Sequence, residues 1–320
     1  MMTGEPQCDL VLGGGGVRGA AHIGALTALE ESGYSVVRAA GASAGAIAGA
    51  FAVAGVPAKT LRELFQDLDL PSFVFSDVID KLSTHRGVGQ LIERLRPDRT
   101  EPLDWIAEVL ADQGIETFGD LRVDDAEDSD PPERSYRLVV RCLDILQRRV
   151  VRLPWDYRRY GLDPDAQSVA QAVLASMTIP MVSEPLPLGA DDADERGLLV
   201  DGGLTSGFPV TVLDRQDGRT PRWPTFGIRL LPRPRGSGEL PSSQVEMMRM
   251  VMDALLDSSD LLEPLTDCDE RRTVRIDVSD LRALDLDAVD EQEPFTDGYE
   301  AMAAFLRGWD WERYRRECRP

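Results

Sequence analysis

Residues 8–55 read CDLVLGGGGVRGAAHIGALTALEESGYSVVRAAGASAGAIAGAFAVAG, and their alternation of type decides the fold class. CDLVL is a short apolar run that suits a strand. After four glycines, Arg18 to Glu31 sets Ile23, Leu26 and Leu29 among alanines at the spacing of a helix face, and Gly33 ends that helix. SVVRAA is a second strand, followed by GASAG and a small apolar helix that closes near Gly55. Strand, loop, helix, strand, turn, helix is the order of a parallel sheet with helices on its faces, an α/β fold.

Further along, Pro57 sits at the first turn of a helix, AKTLRELFQDLD. Residues 69–88 are mixed and rich in apolar and aromatic side chains, and Gly89 to Leu95 and Leu103 to Leu110 are expected to be helical. YRLVVRCLDI and RRVVRLPW resemble paired strands behind the acidic loop DDAEDSDPPE. VAQAVLASM is a helix stopped by Thr178-Ile179-Pro180, and GLLVDGGL is a strand running into a glycine turn. TFGIRLLP and RTVRID are further strands, and a last helix lies near 295–307. The clearest composition shift, PRPRGSGELPSS at 232–243, reads as a surface loop. One domain spanning 1–320 is expected, with a core of about 9–231 and a mostly helical part, 244–320, packed on it.

Composition excludes several functions. The 42% hydrophobic content is ordinary for a globular protein, and no run approaches the ~20 apolar residues of a membrane span. The N-terminus shows no basic segment followed by an apolar one, so no secretory signal is expected. Cys8, Cys142, Cys268 and Cys318 are scattered and read as reduced thiols, which points to a cytoplasmic protein without a disulfide framework or zinc site. A net charge of −21 argues against nucleic acid. The same charge repels anionic membranes, so contact with a lipid surface would have to be transient, apolar and local.

Three sites can carry chemistry. In LVLGGGGVRGAAHIG, Gly14, Gly16 and Gly19 satisfy G-x-G-x-x-G between a strand and a helix, as a dinucleotide site requires. The next strand carries no acid for a ribose, although Arg38 could meet a 2′-phosphate. A tight packing turn is the bland alternative. A nest of glycine N–H groups for an oxyanion is the third, favoured by the fourth consecutive glycine. Arg18 is a cation in a helix's first turn, against the macrodipole, and is either paired locally or aimed at an anion. His22 is most simply a packed or hydrogen-bonded helix residue.

The second site, GASAG, fits the Gly-x-Ser-x-Gly nucleophile elbow, with Gly41, Ala42, Ala44 and Gly45 leaving room around Ser43. A capping serine would explain Ser43 but not glycines on both sides. The third is Asp201 in LLVDGG, where Gly202 and Gly203 remove obstructing side chains; an Asp-Gly turn is the ordinary alternative. If Asp201 and Ser43 lie at the carboxyl ends of parallel strands, they face one crevice. A desolvated aspartate can take a serine proton directly, which answers the scarcity of histidines, His22 and His85 being the two present. A histidine triad would need His85, in the polar stretch KLSTHRG and in the wrong order for an α/β-hydrolase.

GGGGVRG, the GASAG elbow and the later DGG, in this order, resemble the patatin-like phospholipase family. VRGAAHIGALTALEESG looks like the family's first helix, VLASMTIPMVSEPLPL like its Ala-Ser-x-x-x-Pro segment, and LVDGGLTSGFPV like its dyad-aspartate stretch. LDLDAVDEQEPFTDGYEAM is similar to the closing segment of bacterial members. The likeness runs from about Asp9 to Leu306 and is weaker between 97 and 165. It implies a three-layer α/β/α sandwich around a mostly parallel sheet, and hydrolysis of lipid acyl esters by a serine–aspartate dyad without metal or cofactor. Ser43 would be the nucleophile and Asp201 the base. Gly14, Gly15, Gly16 and Ala44 would form the oxyanion hole, supported by Arg18, Gly41, Gly45, Gly202 and Gly203. Two departures bear on the substrate. Thr205-Ser206-Gly207 stands where the family often has paired asparagines, and Arg141-Cys142-Leu143-Asp144 where it commonly has Ala-Thr-Asp. Residues 70–79 would line an acyl pocket, form a lid or be ordinary core. A dinucleotide-binding protein and a catalytically silent lipid-binding scaffold of the same fold remain the alternatives.

Overall fold

The computed structural model describes residues 5–66, 102–123, 131, 133–180, 183–190, 193–205, 208, 210–232, 241, 247, 250–255, 265–278 and 292–318. Expectations for 70–79, His85, the helix 89–95, Ser206-Gly207 and most of 124–133 and 232–243 lie outside them. The strands are β1 (Gln7–Leu12), β2 (Ser35–Gly41), β3 (Leu138–Asp144), β4 (Arg149–Leu153), β5 (Leu186–Leu188), β6 (Gly197–Asp201), β7 (Thr225–Pro232) and β8 (Thr273–Val278). They form one sheet in the order β5-β6-β3-β2-β1-β7-β8, with β4 also on β3. β3, β2, β1, β7 and β8 are mutually parallel. The antiparallel pairs are β3–β4, β3–β6 and β5–β6. The helices are α1 (Ala20–Glu31), α2 (Ala44–Ala54), α3 (Ala58–Gln66), α4 (Pro102–Ala111), α5 (Val169–Met177), α6 (Asp267–Arg271), α7 (Gln292–Gly308) and α8 (Trp311–Cys318). None of the described helices is long and apolar enough to cross a membrane.

This is an α/β fold with a mostly parallel central sheet between two covering layers, and the strand period of two sorts its core. Leu10, Leu12, Ala39, Leu138 and Val140 turn toward the helices and join the larger core with Ile23, Ile47 and Phe51. Their neighbours Val11, Ala40 and Val139 turn the other way and pack under Phe208, Val210 and Leu213.

The apolar face expected for α1 is in fact most of the helix. Ala20 to Leu26, Ala28 and Leu29 are all buried, because α7 covers the side turned away from the sheet. The two helices meet backbone to backbone. A Cβ on Gly24 would stand 1.9 Å from Phe295 O, and one on Gly298 1.9 Å from Ala21 O. The chain beyond 244 therefore supplies the sheet's edge strand β8 as well as the helix that backs α1.

The cysteine expectation is corrected for two of the four. Cys268 in α6 and Cys318 at the end of α8 form a disulfide across 50 residues of chain, with Cα atoms 5.5 Å apart. Packing of α6 on α8 brings them together, and sequence spacing carries no trace of that. Cys8 and Cys142 are free and buried.

Candidate active site

Ser43 stands two residues past the end of β2, at φ 54° and ψ −130°, a backbone region that side chains avoid. The turn is tight enough to require its glycines. A Cβ on Gly41 would lie 2.3 Å from Gly45 O, and one on Gly45 2.4 Å from Gly13 O. A capping serine would bond the first turn of α2, but Ser43 makes no side-chain cap. Its hydroxyl donates instead to Asp201 Oδ2, at 2.8 Å.

Sheet register explains how residues 158 apart meet. Gly41 pairs with Val140 on β3, and Cys142, two residues on, pairs with Asp201 on β6. Position 43 is thus level with position 201. The expectation that both strands run parallel is wrong for β6, which is antiparallel to β3 and ends at the crevice from the opposite direction. Gly202 then passes close under Arg141, whose carbonyl oxygen would be 2.1 Å from any Cβ there.

Asp201 is fully buried, and burial raises its carboxyl to about 6. Hydrogen bonds from Gly203 N–H to Oδ1 (2.7 Å) and from the Ser43 hydroxyl to Oδ2 oppose that rise. The result is a carboxylate with one oxygen fixed by backbone and the other on the serine.

The glycine loop lies beside this pair. Gly13 N–H donates to Ile228 O on β7, at 3.0 Å. Gly14 borders the crevice: a Cβ there would be 3.8 Å from Ser43 Cβ and 3.7 Å from Gly203 Cα. Among the described residues, the N–H groups of Gly14 and Gly15 donate to no protein group. Gly16 opens a short 3-10 turn, Gly16–Gly19, that leads into α1. Arg18 is buried within that turn and its Nε donates to Gly15 O at 3.0 Å, so it holds the loop. Ala44 is the first residue of α2, where backbone N–H groups lack intrahelical partners.

Sequence reasoning assigned no part to Ser176. Its Oγ accepts from Ser43 N–H at 2.9 Å, and its hydroxyl donates to Arg141 O at 2.6 Å, tying the elbow to β3 through α5. The signal was the Ala-Ser of VLASM, quoted above only as a likeness. The two departures also have structural accounts. Thr205 Oγ1 accepts from Arg141 Nη2 (2.8 Å) and donates to Gly202 O (3.0 Å), bracing the turn after Asp201. Asp144 is buried at the β3–β4 hairpin. Burial works to raise its carboxyl, but the Tyr160 hydroxyl and the N–H groups of Leu198, Gln147 and Leu146 outweigh it and hold the group below its ordinary range.

On the sheet's other face a small cleft reaches Gly14 and Gly203, with Val11, Ala40, Val139 and Phe208 in its wall and Arg141 and Arg152 beside them. Arg38, considered above for a 2′-phosphate, is paired with Asp9 at 2.6 Å and also donates to Leu213 O. Asp9 and Arg38 face each other three residues before the ends of β1 and β2, away from the glycine loop.

The family model of patatin-like phospholipases matches residues 10–214. YqhO of Bacillus subtilis is 30% identical over 312 residues, covering 95% of this chain and 99% of that protein. The neuropathy target esterase sws of Drosophila melanogaster is 61% identical over 49 residues, which are 15% of this chain and 3% of that one. Among solved structures, VipD from Legionella pneumophila superposes with a TM-score of 0.50 at 16% identity, covering 94% of this chain and 66% of VipD. ExoU from Pseudomonas aeruginosa, in its heterodimeric complex with SpcU, gives 0.50 at 19% identity over 95% of this chain and 52% of the ExoU chain. The chain thus spans two thirds or less of these two structures, and at such identities they speak for the fold.

Proposed function

The chain belongs to the patatin-like phospholipase family, and from that premise we propose that it hydrolyses the acyl esters of lipids, phospholipid, lysophospholipid or a related ester, through Ser43 and Asp201. The observation that carries this reading is the Ser43–Asp201 hydrogen bond of 2.8 Å at an elbow with φ 54°. Ser43 Oγ attacks the ester carbonyl carbon as its proton passes to Asp201 Oδ2. The carbonyl oxygen becomes an oxyanion facing the N–H groups of Gly14, Gly15 and Ala44. Collapse breaks the ester bond, and Asp201 returns the proton to the leaving alkoxide. Water then attacks the acyl-serine, its proton going to Asp201 and from there to Ser43 Oγ as the fatty acid leaves.

A carboxylate near pKa 6 is a better match to this proton transfer than a solvated aspartate near 3.9. Ser176 supports the scheme by occupying the N–H of Ser43, leaving the oxyanion to the glycine loop and α2. The reaction needs no metal, and lipid is met at a surface through an apolar, local contact, because the chain's charge of −21 gives no electrostatic attraction to anionic bilayers.

Labelling with a fluorophosphonate probe and peptide mapping tests the reading. The adduct is expected on Ser43, with ester hydrolysis lost in Ser43→Ala and Asp201→Asn. Well-folded protein without an adduct at Ser43 would overturn it.

A further inference from the structure

His22 lies within the first turn of α1, fully buried, with Nε2 2.9 Å from Gly13 O. A carbonyl oxygen only accepts, so the hydrogen sits on Nε2 and Nδ1 carries the lone pair. That Nδ1 has no hydrogen-bond partner among the described residues. Burial depresses the ring to about 4, against the small opposing effect of the Gly13 bond, so it is neutral at working pH. Packing alone does not account for such a residue. An apolar side chain would fill this space without leaving a polar atom stranded.

We propose that His22 is a positioning residue that aims the backbone N–H of Gly14 at the oxyanion, an inference that rests on the reading of Ser43 given above. In a trans peptide, the C=O of one residue and the N–H of the next point in opposite directions across a single rigid plane. Gly13 O is turned into the helix layer, bonded to His22 and pressed against Gly45 at the start of α2. The N–H of Gly14 is therefore turned the other way, and Gly14 itself borders the crevice between Ser43 and Gly203. Two further bonds fix the loop on either side: Gly13 N–H to Ile228 O, and Gly15 O with Arg18 Nε.

The bond matters because glycine peptides turn over easily. A flip of the 13–14 peptide would present a carbonyl oxygen to the developing negative charge, a dipole of the wrong sign. In the flipped state, the His22 Nε2–H would face an N–H and lose its acceptor. The imidazole thus favours the orientation that stabilises the transition state, before substrate arrives.

The test compares turnover of p-nitrophenyl butyrate by the full chain as wild type, His22→Phe, His22→Ala and His22→Gln. His22→Phe and His22→Ala are expected to lower kcat by about 10²-fold with KM changed by less than about threefold, as for loss of one oxyanion donor. Fluorophosphonate labelling of Ser43 should slow by the same factor. His22→Gln, whose amide N–H₂ reaches the place of Nε2, is expected to recover most of the loss. Should His22→Phe not fold, His22→Ala and His22→Gln carry the comparison at matched Tm. Unchanged kcat in a folded Phe or Ala variant, or a Gln variant as slow as Ala, overturns the positioning role while leaving Ser43 labelled in wild type. Full turnover in Ser43→Ala would instead remove the underlying reading, and this role with it.

Discussion

Burial of Asp201 shifts its proton equilibrium toward the neutral form. Its carboxyl titrates near 6 in the folded protein and near 3.9 in an unfolded chain. A folded value above the unfolded one means that the native state binds this proton more tightly. The stability it contributes is full below about pH 4 and is lost as pH rises through 6, by roughly 3 kcal/mol at 1.36 kcal/mol per unit. Under the proposed dyad, activity should follow the opposite course, since only the ionised form would accept the serine proton. The kcat/KM profile should rise along an acid limb with an apparent pKa near 6 and level off above it. In the same protein, Asp201→Asn should abolish turnover yet melt at an equal or higher temperature than wild type at pH 7.5. A limb near 4, or a less stable Asn variant, would show that the carboxylate is not desolvated. Single residues were unevenly legible. Ser43 and Asp201 stand out through their glycines, whose absent side chains mark close backbone approach. Ser176 does not, because nothing around a serine within a helix tells which distant N–H it will accept.

At the scale of elements, α1 connects the loop to the rest of the molecule. It carries His22 inward and rests on α7 where Gly24 meets Phe295 and Gly298 meets Ala21, backbone against backbone with no room for a methyl group. Gly298→Val should cost about 3 kcal/mol or more in denaturant unfolding, because the obstruction is backbone and cannot swing aside. Gly308→Ala, also in α7 but with nothing within 4 Å, is the control and should be close to neutral. Equal midpoints for the two would mean that the helices separate easily. The first 55 residues were legible as β1, α1, β2, elbow and α2 because apolar runs and glycine punctuation are local signals. The burial of α1 on nearly all sides was not, since alanines that await a second helix look the same as alanines that face water. The reversal at β6 was equally hidden: GLLVD is an apolar strand in either direction, and only pairing with β3 sets its sense.

For the whole molecule, charge bears on the proposed meeting with a lipid surface. With −21 formal charges, approach to an anionic bilayer is opposed over a Debye length, about 30 Å at 0.01 M salt and about 8 Å at 0.15 M. Hydrolysis in phosphatidylglycerol vesicles should therefore speed up severalfold over that range, while phosphatidylcholine vesicles respond little. Equal salt responses would show that the net charge lies away from the approaching face. The disulfide between Cys268 and Cys318 has a mechanical consequence of its own. It closes a ring that contains most of α6, β8, α7 and the whole of α8. Tension applied at the C-terminus, from a surface tether or a neighbouring domain, enters the body at Cys268 through the sulfur bridge. Helix α7 then lies outside the path of the force, and the glycine loop braced behind it is shielded from the pull.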